Sequence, residues 1–201
     1  MVNMLGISRH SHRVVGLATA ILVALTTTSC QTTETMDNNI PQGAVVPCTS
    51  ISVIATDPPV LELPCMSEES TSGDSLIDIG SIKGPALVNV WGSWCEPCVT
   101  EIKLLRDFYS LYSTQVSLIG VDIEEETATS GQEFVVSHGI TWPQVIDQKS
   151  TIRKLSGVGV PTTLFIASDG RIAKTFVGPF DSLDQIVQES NKAFGIDLVS
   201  F

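Results

Sequence analysis

The chain has 201 residues, 43% of them hydrophobic, which is enough for one compact α/β domain with extensions and too little for two full domains. Its formal charge is −11; residues 1–29 hold Arg9 and Arg13 and no acid, so from Cys30 onward 9 basic residues face 22 acidic ones, a charge of −13. A surface that acidic repels phosphate backbones and excludes nucleic acid as a partner, and no tract has collagen or coiled-coil periodicity.

Near the N-terminus, Arg9, His10, His12 and Arg13 precede an apolar run from Val14 to Leu25. That run is shorter than the roughly 20 residues a bilayer span needs, and a basic segment followed by a short apolar one is the pattern of a secretory signal. The run ends at Thr26-Thr27-Thr28-Ser29-Cys30, which resembles a bacterial lipoprotein processing site, although Thr27 stands where an aliphatic residue is usual. The resemblance implies that residues 1–30 are a signal peptide ending in an acylated Cys30. It also implies an extracytoplasmic chain anchored by lipid to the outer face of the bacterial cytoplasmic membrane. More than one acyl chain is needed, because a single one binds only marginally. Ordinary cleavage nearby, with Cys30 an incidental thiol, is the alternative. Export places the chain where disulfides persist, and with Cys30 set aside an even number of cysteines remains: Cys48, Cys65, Cys95 and Cys98.

Residues 31–47 are rich in Thr, Asn, Gln and Pro without hydrophobic period and read as a flexible tether. Residues 48–75 form an extension with Cys48 and Cys65, 17 residues apart. A disulfide between them stabilises such a segment by about 3 kcal/mol in the chain-entropy model; the competing reading is a second redox pair that exchanges with Cys95 and Cys98.

Residues 76–201 form the main domain, with its ordered part from Leu76 to Phe194. The apolar run 86–90 suits a buried parallel strand. After Cys95, Ile102, Leu105, Phe108, Tyr109 and Tyr112 recur at helical spacing. Residues 116–123 predict a second strand, and 127–138 a second helix ended by Gly139. An insert follows. Residues 162–167 and 172–177 then predict a hairpin across Asp169-Gly170, and Asp181 caps a last helix with Leu183, Ile186, Val187 and Phe194 inward. The order β-α-β-α-insert-β-β-α predicts an α/β fold with a mixed central β-sheet flanked by helices on both faces.

The segment Trp91-Gly92-Ser93-Trp94-Cys95-Glu96-Pro97-Cys98 sits where the first strand turns into the first helix. Unpaired amides and the partial positive charge of a helix start stabilise a thiolate, which makes Cys95 the attacking sulfur. Cys98, one turn on, resolves the mixed disulfide, and Pro97 fits a first helical turn. A zinc site needs four ligands, and no second CxxC or paired His follows, so no metal and no cofactor are implied.

Residues 88–98 with the later Gly159-Val160-Pro161-Thr162-Thr163 resemble the two signatures of TlpA/ResA-type thioredoxin-like proteins, over roughly residues 60–195. The resemblance implies a thioredoxin-like fold and a thiol–disulfide oxidoreductase acting on exported cysteine-containing proteins, apocytochrome c among them, with a transmembrane redox partner. It makes Pro161 a cis-proline facing the CxxC, and gives Val160 a backbone role in binding an extended client. An edge-strand proline is the bland reading. Glu101 matches an acid near the thiols that relays the Cys98 proton; a plain first-turn Glu facing the helix dipole is its alternative. Asn89 stands where thioredoxins proper carry a buried Asp. Trp94 shapes the surface beside the sulfur and Trp91 joins it or the core. His138 suits a helix C-terminus rather than a ligand role.

Reduction of clients is the expected direction, and a thiol oxidase the alternative. A copper chaperone is a reading of another class, but its relatives carry a wider cysteine gap and a late His ligand, and no His follows His138. A peroxidase needs a peroxide pocket motif that the sequence before Cys95 lacks.

Overall fold

The computed structural model describes residues 45–67, 76–127 and 129–199. Cys30, the signal segment and the tether up to residue 44 lie outside them. Val45 already packs against the buried core.

Two short strands, β1 (Glu62–Pro64) and β2 (Leu76–Asp78), pair antiparallel. They precede the central sheet of β3 (Ala86–Trp91), β4 (Ser117–Ile123), β5 (Gln144–Asp147), β6 (Thr162–Ile166) and β7 (Ile172–Val177). The helices are α1 (Glu96–Tyr112), α2 (Ser130–Ser137), the single-turn α3 (Arg153–Ser156) and α4 (Leu183–Phe194). The sheet order is β5-β4-β3-β6-β7. β3, β4 and β5 run parallel, whereas β6 lies antiparallel to β3, and β7 antiparallel to β6. The insert of the sequence reading thus contains a strand, Gln144–Asp147. Four residues with one apolar pair carry too little alternation to announce themselves.

β3 is buried along its whole length, so its alternate residues serve two cores. Leu87 and Trp91 face one core with Leu118, Phe165, Ile102, Leu105 and Phe108 of α1, Phe134 of α2, and Ile186 and Val187 of α4. Ala86, Val88 and Val90 face the other, with Ile119, Val121, Leu164 and Ile166. That second face is covered by Ile152 and Leu155 at α3, by the extension through Cys48, Ile51, Leu63 and Cys65, and by Ile79 and Ile82 just after it. Residues 48–67 are therefore packed structure continuous with the domain rather than a segment ahead of it. An isolated bridge joins Cys65 to Val145 on the outer edge of β5, and Met66 N donates to Gln144 O (2.8 Å). A sheet edge left open invites pairing with other chains, and here the extension covers it.

The helix ends differ in detail from expectation. α2 is shorter than 127–138, and Gly139 follows it at φ 60°, the left-handed geometry that ends a helix. α4 is capped by Ser182, whose Oγ accepts from Gln185 N (3.2 Å), not by Asp181, whose own N donates to Gln185 Oε1 (2.7 Å). Ser and Asp are near-equal caps, so adjacency alone could not choose between them.

Candidate active site

β3 ends at Trp91 and α1 begins at Glu96, leaving a four-residue turn, Gly92 to Cys95. Cys95 is the N-cap of α1 with extended backbone, and its Sγ accepts from Cys98 N (3.3 Å). Cys95 and Cys98 are bonded to each other, with Cα atoms 5.2 Å apart. Pro97 lies in the first turn, where its missing N–H costs nothing. Both sulfur-bearing residues are buried, while Trp94 beside them is 52% exposed. The turn is pinned from β4 and the residues after it. Trp94 Nε1 donates to Ile123 O (3.2 Å), and Glu125 accepts from Ser93 N (2.6 Å) and Ser93 Oγ (2.5 Å). Trp91 is core: it packs on Phe134 at 4.9 Å and donates through Nε1 to Gln144 Oε1 (2.9 Å). A Cβ on Gly120 would lie 1.8 Å from that same Oε1, so the glycine makes room for the Gln144 amide.

Below the pair, Glu101 lies one turn beyond Cys98 on the buried side of α1, 1% exposed. Asn89 on β3 donates through Nδ2 to Glu101 Oε1 (3.2 Å) and to Thr163 Oγ1 (3.1 Å), while Glu101 Oε2 has no partner. Burial pushes the Glu101 carboxyl up to about 8, against the opposing effect of a hydrogen bond from the Phe180 backbone. A carboxylic acid titrating there can hold or release a proton near neutral pH.

The Val160–Pro161 bond is cis. β6 starts at Thr162, which is registered opposite Val90, so Pro161 stands at the end of β3 from which the cysteine turn departs. Pro161 is buried and Val160 is partly exposed, packed against the core cluster that includes Cys95 and Cys98. A cleft of about 490 Å³ runs beside the turn, lined by Pro97, Thr100, Lys103, Leu104, Pro179, Phe180 and Asp181.

Cys48 and Cys65 form the other disulfide, with Cα atoms 6.0 Å apart and both residues 4% exposed. They lie in the core on the opposite face of the sheet from α1. His138 ends α2, with Nδ1 2.9 Å from Phe134 O and its ring stacked on Phe134 at 3.9 Å. Glu125 and Gln144 escaped the sequence reading, because they reach Ser93 and Trp91 from parts of the chain with no motif of their own.

Strand, cysteine turn and helix, with Pro161 at the same end of the sheet, together define a thioredoxin-like fold carrying a CxxC pair. The chain belongs to the AhpC/TSA family, whose model matches residues 59–175. Within that fold it is of the TlpA/ResA type. It is 32% identical over 99 residues to the thiol-disulfide oxidoreductase ResA of Geobacillus thermodenitrificans, covering 48% of this chain and 56% of the relative. To ResA of Bacillus subtilis it is 30% identical over 113 residues, covering 55% and 62%. The matched stretch thus spans little more than half the length of these relatives. StoA from Bacillus subtilis superposes with a TM-score of 0.52 at 27% identity, over 66% of this chain and 97% of that one. A DsbE-type protein of Chlorobium tepidum, at 18% identity and TM-score 0.54 over 71% and 98%, shares the fold. Among the described residues no helix is long and apolar enough to cross a membrane.

Proposed function

We propose that the chain is an extracytoplasmic thiol–disulfide oxidoreductase that exchanges the Cys95–Cys98 couple with cysteines of exported proteins. The observation that carries the reading is Cys95 as the N-cap of α1, its sulfur accepting the Cys98 amide. Amides and dipole stabilise the negative charge of a thiolate there.

In the reducing direction the Cys95 thiolate attacks one sulfur of a client disulfide. A Cys95–client mixed disulfide forms, and the other client sulfur leaves as a thiolate and takes up a proton. Cys98, deprotonated, then attacks Cys95 Sγ, the client's second thiol departs, and the Cys95–Cys98 disulfide closes. Two electrons pass to the client and two protons end on its thiols. Glu101 accepts the Cys98 proton in this direction and returns it in the reverse one, a role its value of about 8 suits. Asn89 holds the carboxyl in place. The Val160 backbone and exposed Trp94 border the client segment, with the cleft along Pro97 and Leu104 taking its flank.

Reduction is the direction we assign, with apocytochrome c a client, Cys30 the lipid anchor and a membrane redox protein the electron source, as the resemblance of residues 88–98 and 159–163 to TlpA/ResA-type proteins implies; the ResA relatives support thiol–disulfide exchange itself. Trapping tests the reading. Cys98→Ser should accumulate covalent, reductant-sensitive adducts with exported cysteine proteins, and Cys95→Ser should form none. Equal adducts from both variants, or none from either, would sink it.

A further inference from the structure

Asn89 and Thr163 stand opposite one another in the antiparallel ladder of β3 and β6, and both are buried. Alternation places them on the sheet face that carries Leu87, Trp91 and Phe165, against α1. A polar pair in so apolar a layer costs stability unless its groups are paired. Nδ2 of Asn89 donates to Glu101 Oε1 (3.2 Å) and to Thr163 Oγ1 (3.1 Å), which uses both of its hydrogens. The two strands thus each supply one member of a chain of hydrogen bonds that ends on the Glu101 carboxyl. Thr163 stands two residues after Pro161, so the chain also ties that carboxyl to the strand leaving the cis bond.

We propose that Thr163 is a positioning residue for the proton relay: its hydroxyl fixes the Asn89 amide in the orientation that donates to Glu101. The inference rests on the oxidoreductase reading above, in which Glu101 takes the Cys98 proton. Without the hydroxyl, one buried N–H of Asn89 has no acceptor, and the amide turns to find one at the expense of its bond to the carboxyl. That bond favours the charged form of Glu101, so weakening it makes the carboxyl harder to ionise. Around Glu101 stand the Cys95–Cys98 pair on its own helix, Asn89 of β3 and the Phe180 backbone, and among the described residues no charged side chain acts on it. A strand-filling role fits Thr163 poorly, because valine has the same shape, suits a strand as well and brings no hydroxyl to satisfy.

The test has two arms, run on the full chain and on its Thr163→Ser and Thr163→Val variants. In the first, the carbon resonance of the Glu101 carboxyl, assigned with Glu101→Gln, is followed against pH in the oxidised chain, where neither sulfur of the pair titrates. The wild type should have its midpoint at about 8. Thr163→Ser, which restores the acceptor, should keep that midpoint. Thr163→Val should raise it by about one pH unit, the effect of weakening a hydrogen bond to a charged group. In the second arm, the reduced chain is mixed with glutathione disulfide, and the Cys95–glutathione adduct is quenched and counted over time; its decay is the Cys98 attack. At neutral pH the decay should hold in Thr163→Ser and slow about fivefold in Thr163→Val. That is somewhat less than the roughly tenfold loss of ionised carboxyl that one unit entails, because the remaining carboxylate is a stronger base. A merely structural hydroxyl would lower the melting temperature of the valine variant and leave midpoint and decay unmoved. The proposal is overturned by that result, or if Thr163→Ser shifts as far as Thr163→Val. Should the valine variant not fold, Thr163→Ala, which also lacks the hydroxyl, takes its place. Failure of the wild type to form any adduct would instead remove the oxidoreductase reading, while the midpoints still decide whether Thr163 positions the carboxyl.

Discussion

The two disulfides differ in what surrounds them more than in how deeply they are buried. Cys48–Cys65 and Cys95–Cys98 are each no more than 4% exposed. The first closes a 17-residue separation and ties the extension to the sheet: Cys48 Sγ lies 3.4 Å from Gln144 O, and Cys65 bridges to Val145 on the edge strand. No long helix begins there. The second spans three residues at the start of a seventeen-residue helix, with a backbone amide directed at its sulfur and an unsaturated carboxyl one turn below. On the proposed function, burial therefore does not separate a structural bond from an exchanging one. The local supply of amide donors and of a transferable proton does, and only one pair has both.

Substitutions can break this contrast at several strengths. The largest effect belongs to Cys95→Ser, which should reduce disulfide exchange to the uncatalysed background in a turnover assay with a chromogenic disulfide. Replacing Cys48 and Cys65 together with alanine should leave the rate of the folded protein within about twofold while costing about 3 kcal/mol in denaturant unfolding; loss of activity without loss of stability would reverse the assignments. Next comes Glu101→Gln, expected to slow exchange on the order of 100-fold if the carboxyl moves the Cys98 proton. It also carries a pH signature. The folded-state value of about 8 lies above the ordinary carboxyl value of 4.5, so the stability owed to the neutral form is complete below 4.5 and is lost as pH rises towards 8. The wild type should lose stability across that window, and Glu101→Gln should show a flatter profile. The smallest effect is that of Ser93→Ala, which removes one hydrogen bond to Glu125 and should cost about 1 kcal/mol, read as a shift in the denaturation midpoint.

What the sequence disclosed followed from residues whose patterns are local. Apolar runs at 86–90 and 116–123, and the helical spacing of Ile102, Leu105 and Phe108, carry the βαβ unit, and the mixed sheet with its closing helix follows from them. A CxxC between such a strand and such a helix has one geometry available to it. Gln144 and Glu125 gave no comparable signal. Glu125 reads as one of three consecutive acids on a solvated loop until the fold turns it onto Ser93. The packing of the extension was not legible either: residues 48–75 read only as a segment carrying two cysteines, yet Leu63, Cys65 and Met66 are core.

The contrast between the two sulfur pairs is tested most directly by equilibrating the native full chain in a graded series of thiol–disulfide buffers. Mass spectrometry then counts free thiols at each pair. The expected result is that Cys95–Cys98 opens and recloses reversibly while Cys48–Cys65 stays joined until the protein unfolds. Simultaneous opening of both pairs, or prior opening of Cys48–Cys65, would contradict the account.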